Sequence, residues 1–186
     1  MKNLKPKLIV VDRDGVINYE SEKYIKSPEE WIPIEGSLEA LVRLKQAGYL
    51  LALATNQAGV ARGLYGEKAL KQIHEKMHQM LGKLMPNFAF DCIEICMHHP
   101  DENCNCRKPR PGMLLNISKN LKIENSPENI WFVGDSERDF EAAEAANCLP
   151  ILVQTGNGWK AEKNLKSKTK NLLVFDNLLK VADYLC

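Results

Sequence analysis

Six short apolar runs recur along the chain: Lys7 to Val11, Tyr49 to Ala54, Phe90 to Met97, Ile130 to Val133, Pro150 to Gln154 and Leu172 to Phe175. They are continuous rather than alternating, which predicts strands covered on both faces of a sheet. Helical periodicity lies between them. Ser37 is placed to cap a helix that carries Leu38, Leu41, Val42 and Leu44 and stops at Gly48. Gly66 to Leu84 carries Leu70, Ile73, Met77, Met80, Leu81 and Leu84 on one stripe, which reads as core. Pro111 suits the first turn of a third helix, and Ser136 to Ala146 reads as a fourth. Lys160 to Lys170 is polar and basic, and predicts a solvated excursion before the last strand. Strand and helix in alternation predict an α/β fold, a Rossmann-like parallel sheet with helices on both faces.

With 186 residues, residues 1–186 are expected to form a single domain. A net charge of +1 gives no field that would gather nucleic acid or anionic lipid, so neither is expected as a partner. The segment Met1 to Pro6 has no export signal and no apolar run is long enough for a membrane span. Six cysteines without an export signal, two of them in a Cys-x-Cys pair, point to a reducing compartment, the cytoplasm, and to a metal site rather than disulfides. The Asn116-Ile117-Ser118 glycosylation match is then idle.

Ligands of a parallel sheet bind beyond the carboxyl ends of its strands. Asp12-Arg13-Asp14-Gly15 follows the first run, Thr55-Asn56-Gln57 the second, Arg107-Lys108 comes after the third, and Gly134-Asp135-Ser136-Glu137-Arg138-Asp139 follows the fourth. Any one of these could be a turn or a helix cap; their joint placement suits phosphoryl transfer. Clustered carboxylates of Asp12 and Asp135 repel unless a cation lies between them, and oxygen ligands suit Mg²⁺. Lys108 and the Thr55 hydroxyl can neutralise and bond phosphoryl oxygens. One carboxylate can attack phosphorus while another handles the proton. No Gly-x-x-x-x-Gly-Lys-Ser/Thr loop is present to cradle a nucleotide.

The stretch Cys96-Met97-His98-His99-Pro100-Asp101-Glu102-Asn103-Cys104-Asn105-Cys106 has the spacing Cys-x-His-x5-Cys-x-Cys. Cys96 and His98 point the same way on an extended chain, as do Cys104 and Cys106. Together they make a closed Cys3His set for structural Zn²⁺, with His99 facing away. Such a loop, 96–106, would fix the aim of Arg107 and Lys108. Arg62, Arg107 and Arg110 add positive charge suited to a substrate with a second anionic group. The gaps between the motifs leave no room for a separate cap domain, and a monomer is expected.

The four strand-end clusters resemble the signature motifs of the haloacid dehalogenase (HAD) superfamily of phosphatases, over residues 8–156. That resemblance implies a capless Mg²⁺-dependent phosphatase. Asp12 would be the nucleophile and Asp14 the general acid and base. Asp12, the backbone carbonyl of Asp14 and Asp135 would bind Mg²⁺, with Asp139 holding a bound water. Within the superfamily the chain is similar to the D-glycero-D-manno-heptose 1,7-bisphosphate 7-phosphatases. Thr55 to Gly63, His98-His99-Pro100 and Cys106 to Leu114 carry that likeness. It implies a phosphorylated sugar as substrate, on a path to nucleotide-activated heptose for surface lipopolysaccharide. Glu20, Ser21, Glu22, Lys23, Asn56, Gln57, Ala58, Arg62, Arg107, Arg110 and Ser136 would contact it.

Three rival readings stay open at this point. The five-residue spacer between His98 and Cys104 is like that of histidinol-phosphate phosphatases. The Thr-Asn-Gln segment is similar to that of polynucleotide 3′-phosphatases, although the near-neutral charge offers no track for a nucleic-acid backbone. A zinc-stabilised binding module without catalysis would not need all four polar clusters.

Overall fold

The computed structural model describes residues 7–167, 169 and 172–186. Met1 to Pro6, Lys168, Lys170 and Asn171 lie outside the described residues. Six strands form one sheet: β1 (Leu8–Val11), β2 (Leu50–Asn56), β3 (Cys92–Cys96), β4 (Ile130–Gly134), β5 (Leu149–Val153) and β6 (Leu173–Phe175). Their order is β3-β2-β1-β4-β5-β6, and every pairing is parallel. The order reverses at β1, so β1 and its neighbours β2 and β4 flank the crevice where a parallel sheet takes its ligand.

The helices are α1 (Ser37–Gln46), α2 (Glu67–Leu84), α3 (Gly112–Leu121), α4 (Glu137–Ala145), α5 (Gly158–Lys166) and α6 (Leu178–Leu185). The strand period of two assigns the core to two faces. Ile9 and Val11 turn to one face with Leu41 of α1, Ile73 and Met77 of α2, and Val181 and Leu185 of α6. Leu8 and Val10 turn to the other with Met113 and Ile117 of α3 and Ala142 and Ala143 of α4. Leu165 of α5 packs on Phe140 and Leu152 beside them. This is the doubly covered sheet that the apolar runs predict.

No helical or sheet unit is inserted between the strands and the helices that follow them, among the described residues. The loop from β1 to α1 holds only isolated bridges at Asp14–Asn18 and Asn18–Pro33, and that from β3 to α3 one 3-10 turn, Pro100–Glu102. The crevice is therefore edged by loops. No helix among the described residues is long and apolar enough to cross a membrane.

Three local expectations are corrected. Ser37 does not cap α1: Gly36, in the left-handed region at φ 78°, precedes the helix, and the Ser37 hydroxyl donates to the Ile17 carbonyl at 2.6 Å. Pro111 sits just ahead of α3 rather than in its first turn. The described part of the 160–170 stretch is mostly helix α5, because Ala161 and Leu165 at helical spacing bury against β5 while the lysines face out. Helix α6 has no counterpart in the sequence reading, although Leu178, Val181, Ala182 and Leu185 give it a buried stripe.

Leu41 is fully buried on the α1 face of the sheet. Leu41→Ala should cost about 2–5 kcal/mol of stability in urea unfolding. A loss below about 1 kcal/mol would mean that α1 is not packed as described.

Candidate active site and metal centres

Asp12 directly follows β1, and its backbone N–H still bonds the Val133 carbonyl at 2.9 Å, so the sheet ladder fixes its start. The chain then turns at Gly15, φ 79°. A side chain there would be strained on two grounds: the backbone is left-handed, and a Cβ would lie 2.1 Å from Asp135 Oδ2, which would have to move. Gly156, φ 58°, packs beside Gly15 against the same carboxylate oxygen: a Cβ there would lie 2.1 Å from Asp135 Oδ2 and 2.7 Å from Gly15 Cα. Two glycines thus let two loops close on Asp135, whose Oδ2 accepts the Asn157 N–H at 2.8 Å.

Lys108 is 2 % exposed and its ammonium has three partners. It pairs with Asp12 Oδ2 at 2.8 Å and Asp139 Oδ1 at 2.7 Å, and donates to the Ala54 carbonyl at 2.9 Å. It lies over the Phe132 ring, 5.2 Å from the centroid. Burial works against the charged amine, but the two carboxylates outweigh it and raise its pKa. Its backbone is clamped from β2: Asn56 Nδ2 donates to the Lys108 carbonyl at 3.1 Å and Asn56 Oδ1 accepts its N–H at 3.2 Å.

Carboxylate oxygens of Asp12, Asp135 and Asp139 lie within 4.8 Å of one another. Asp139 Oδ2 also accepts the Ser136 hydroxyl at 2.6 Å and its N–H at 3.1 Å. Burial pushes Asp12 up to about 6, and its carboxylate neighbours add to this against Lys108. Burial, then Asp139 and Asp12, push Asp135 up to about 8. Three carboxylates against one ammonium leave a formal charge of −2 in a buried volume. A hard divalent cation on oxygen ligands matches both that charge and those donors.

Asp14 is held apart from this cluster. Its oxygens accept from Arg13 Nε at 3.1 Å, Arg13 Nη2 at 3.1 Å, Asn18 Nδ2 at 2.9 Å and Gln57 Nε2 at 2.9 Å. Burial alone would raise its pKa; Arg13 and these hydrogen bonds reverse that and lower it. Arg13 is fully buried and reaches His74 Nε2 at 3.2 Å, where burial and Arg13 push the imidazole down to about 4 and leave it neutral. Gln57 closes the network. It bonds Thr55 Oγ1 at 2.9 Å and accepts from Tyr65 Oη at 2.7 Å and Arg13 Nη2 at 2.9 Å. Arg13, Asn18, His74, Tyr65, Asn157 and Arg138 were not singled out from sequence. Arg13 and Arg138 stand inside the quoted motifs; the others carry no local signal.

The remaining residues divide by what their polar groups already do. Asp12, Thr55, Lys108, Asp135, Ser136 and Asp139 edge a cleft of about 60 Å³. Glu20, Ser21, Glu22, Asn56, Gln57, Ala58 and Arg107 line an adjoining one of about 240 Å³, with Tyr24 and Arg138. Arg62, Arg107 and Arg110 line an outer one of about 610 Å³. Lys23 is exposed and stands outside these three clefts. The Arg110 guanidinium is bonded to the carbonyls of Asn103 and Cys104, the latter at 3.0 Å. Asn56 is likewise tied to Lys108. Arg107 Nη1, by contrast, is buried and makes no hydrogen bond among the described residues.

The second centre lies behind Lys108. Cys96, His98, Cys104 and Cys106 come together, with none of the three cysteines in a disulfide. Sγ of Cys104 is 3.6 Å from that of Cys96 and 3.4 Å from that of Cys106, and His98 Nδ1 is 3.2 Å from Cys106 Sγ. Tetrahedral thiolate bonds of ~2.3 Å would set sulfur–sulfur edges near ~3.8 Å, so the four groups could hold a metal ion. His99 faces away and caps the 3-10 turn, accepting the Asp101 N–H. Asn103, φ 51°, then returns the chain to Cys104.

Comparison with known proteins agrees with this geometry. The HAD-hydrolase-like family matches residues 105–181. The chain is 45% identical over 177 residues to a D-glycero-beta-D-manno-heptose-1,7-bisphosphate 7-phosphatase of Pseudomonas putida, covering 95% of this chain and 97% of that protein. It is 46% identical over 181 residues to the protein of that name from Bordetella bronchiseptica, covering 96% and 97%. It is also similar to the crystal structure of D,D-heptose 1,7-bisphosphate phosphatase from B. bronchiseptica complexed with magnesium and phosphate. The TM-score is 0.89 at 45% identity, over 96% of this chain and 97% of that one.

The raised carboxylates set a pH dependence. Asp12 and Asp135 keep their protons to about 6 and about 8 in the folded chain, against 3.8 ordinarily. The folded state therefore binds more protons than the unfolded one across that window. The stability this gives is complete below about pH 4 and is lost as pH rises toward 8. For metal-free protein, Tm should fall between pH 5 and about 8. Asp135→Asn should flatten the fall, and added Mg²⁺ should reverse it. A Tm that climbs across this window, with no response to Mg²⁺, would contradict a shared, cation-seeking carboxylate site.

Proposed function

This chain belongs to the D-glycero-beta-D-manno-heptose-1,7-bisphosphate 7-phosphatase family of HAD-like hydrolases, and on that premise we propose that it removes the 7-phosphate of D-glycero-β-D-manno-heptose 1,7-bisphosphate with Mg²⁺. The observation that carries this reading is the convergence of Asp12, Asp14, Thr55, Lys108 and Asp135 from four strand ends on one buried cleft. The β anomer follows the names of the relatives.

Asp12, the Asp14 carbonyl and Asp135 would hold Mg²⁺, beside Asp139. Bound there, the ion would neutralise the carboxylate cluster and polarise the phosphoryl oxygens. The Asp12 carboxylate attacks phosphorus, the bond from phosphorus to the sugar oxygen breaks, and an aspartyl-phosphate forms. Asp14 gives its proton to the departing oxygen, then takes one from the water that attacks the aspartyl-phosphate, which releases phosphate and restores Asp12. Arg13 favours the ionised form of Asp14, suited to the second step; an arriving anionic phosphoryl group raises its pKa for the first. Lys108 and Thr55 steady the transferring group.

Cys96, His98, Cys104 and Cys106 would hold Zn²⁺ as a closed structural site that leaves no position for substrate. Its function would be to stiffen the loop from which Arg107 and Lys108 emerge. Glu20, Ser21, Glu22, Ala58 and Arg107 would meet the sugar and its second phosphate, while Asn56, Gln57 and Arg110 act through neighbours they already bond. Residues 1–186 would act as one domain and as a monomer, and free thiols around a zinc site suit a reducing, cytoplasmic setting.

Phosphate release should be measured with Mg²⁺ on the β and α heptose 1,7-bisphosphates, histidinol phosphate and a 3′-phosphorylated oligonucleotide. The β anomer should show the highest kcat/KM; a preference for histidinol phosphate would transfer the assignment to that activity. Asp12→Asn should lower kcat by more than about 10³-fold with the fold retained. In Cys104→Ser the bound zinc, read by elemental analysis, should fall well below one per chain. Unchanged zinc in that variant would remove Cys104 from the ligand set.

A further inference from the structure

Five arginines stand at or near the clefts, and two of them are already committed to partners. Arg13 is fully buried on Asp14 and Gln57. Arg110 is bonded to the metal loop through Asn103 and Cys104. Arg62 borders the outer cleft and neither of the other two. Arg107 and Arg138 are different, because both border the inner cleft and the outer one.

Arg138 is the one residue that also borders the carboxylate cleft, so it stands where all three spaces meet. Its side chain is exposed, and among the described residues it makes no hydrogen bond or ion pair; the Glu20 carboxylate is its electrostatic partner. It occupies the first turn of α4, two residues after Ser136. A cation there opposes the helix dipole, so its charge does nothing for α4. The fold gives it no task, whereas a ligand anion in the cleft would. Arg107 presents the matching feature from the loop after the Cys/His cluster, a buried Nη1 that makes no hydrogen bond among the described residues. Two guanidinium forks that border the same space suit a phosphate, whose oxygens can accept from both.

We propose that Arg138 is a substrate-binding residue that, with Arg107, holds the second phosphate of the sugar bisphosphate while the scissile one lies against Asp12 and Lys108. This rests on the bisphosphate reading above. Arg138 would thereby distinguish a bisphosphate from a monophosphate. The adjacent Asp139 serves Lys108, so two neighbouring residues of one helical turn would serve the two ends of the substrate.

The test compares kcat and KM of the full-length Mg²⁺ enzyme on heptose 1,7-bisphosphate and on heptose 7-phosphate, which lacks the second phosphate. Wild type, Arg138→Ala, Arg138→Lys and Arg138→Glu are measured in parallel. Loss of one charge-assisted contact should cut the bisphosphate-to-monophosphate ratio of kcat/KM about tenfold in Arg138→Ala, mainly through KM. Arg138→Lys should recover part of the ratio and Arg138→Glu should lower it further. The lysine variant keeps the test open should truncation disturb α4. A ratio that stays at the wild-type value in the alanine and glutamate variants would overturn the role of Arg138. A wild-type ratio near one would instead overturn the bisphosphate reading itself.

Discussion

The buried ammonium of Lys108 is the interaction on which the site depends. An amine taken from water into the protein interior is costly, and only near-ideal pairing offsets that cost. Lys108 has such pairing: Asp12 and Asp139 within 2.8 Å, the Ala54 carbonyl, and an aromatic face beneath. Each partner comes from a different strand or helix, so the pairing can exist only when β1, β2, β4 and α4 are assembled. The three carboxylates keep a formal charge of −2 after the one Lys108 ammonium is counted, and a single divalent ion would supply what is missing.

Position matters as much as charge. Lys108 sits on a loop, where side chains ordinarily wander. Asn56 fixes its backbone from β2, and the Cys/His cluster gathers the preceding residues into a compact knot. Arg110 bonds that knot from the far side. The loop is thereby held from three directions, and Arg107 is carried with it. On the other half of the cleft the Arg13–Gln57–Tyr65 network performs the same service for Asp14, so the carboxylates of Asp12 and Asp14 differ in environment although they are neighbours in sequence.

Much of this was legible in the sequence because the physics is local. Runs such as Leu8–Val11 and Ile130–Gly134 are apolar on both faces, which only a doubly covered sheet accommodates. The Cys-x-His-x5-Cys-x-Cys spacing specifies its own geometry. What escaped was tertiary. Nothing near His74 announces that it will meet Arg13, 61 residues away, and Asn157 reaches Asp135 by a backbone N–H that any residue but proline carries. Arg110 looked like free charge because a guanidinium in a loop gives no sign of the carbonyls it will find. α5 was hidden by its lysines, whose count outweighed two buried apolar positions.

The central claim is that Asp12 forms a covalent bond to phosphorus in the pocket that Lys108 and the cation balance. The most direct measurement is acid-quenched mass spectrometry of the Asp12 peptide after millisecond mixing of excess enzyme with the bisphosphate and Mg²⁺. The account predicts a transient phosphoryl increment on Asp12 that rises before free phosphate does and disappears as phosphate accumulates. Phosphate release at full rate with no increment on Asp12 at any time would contradict it.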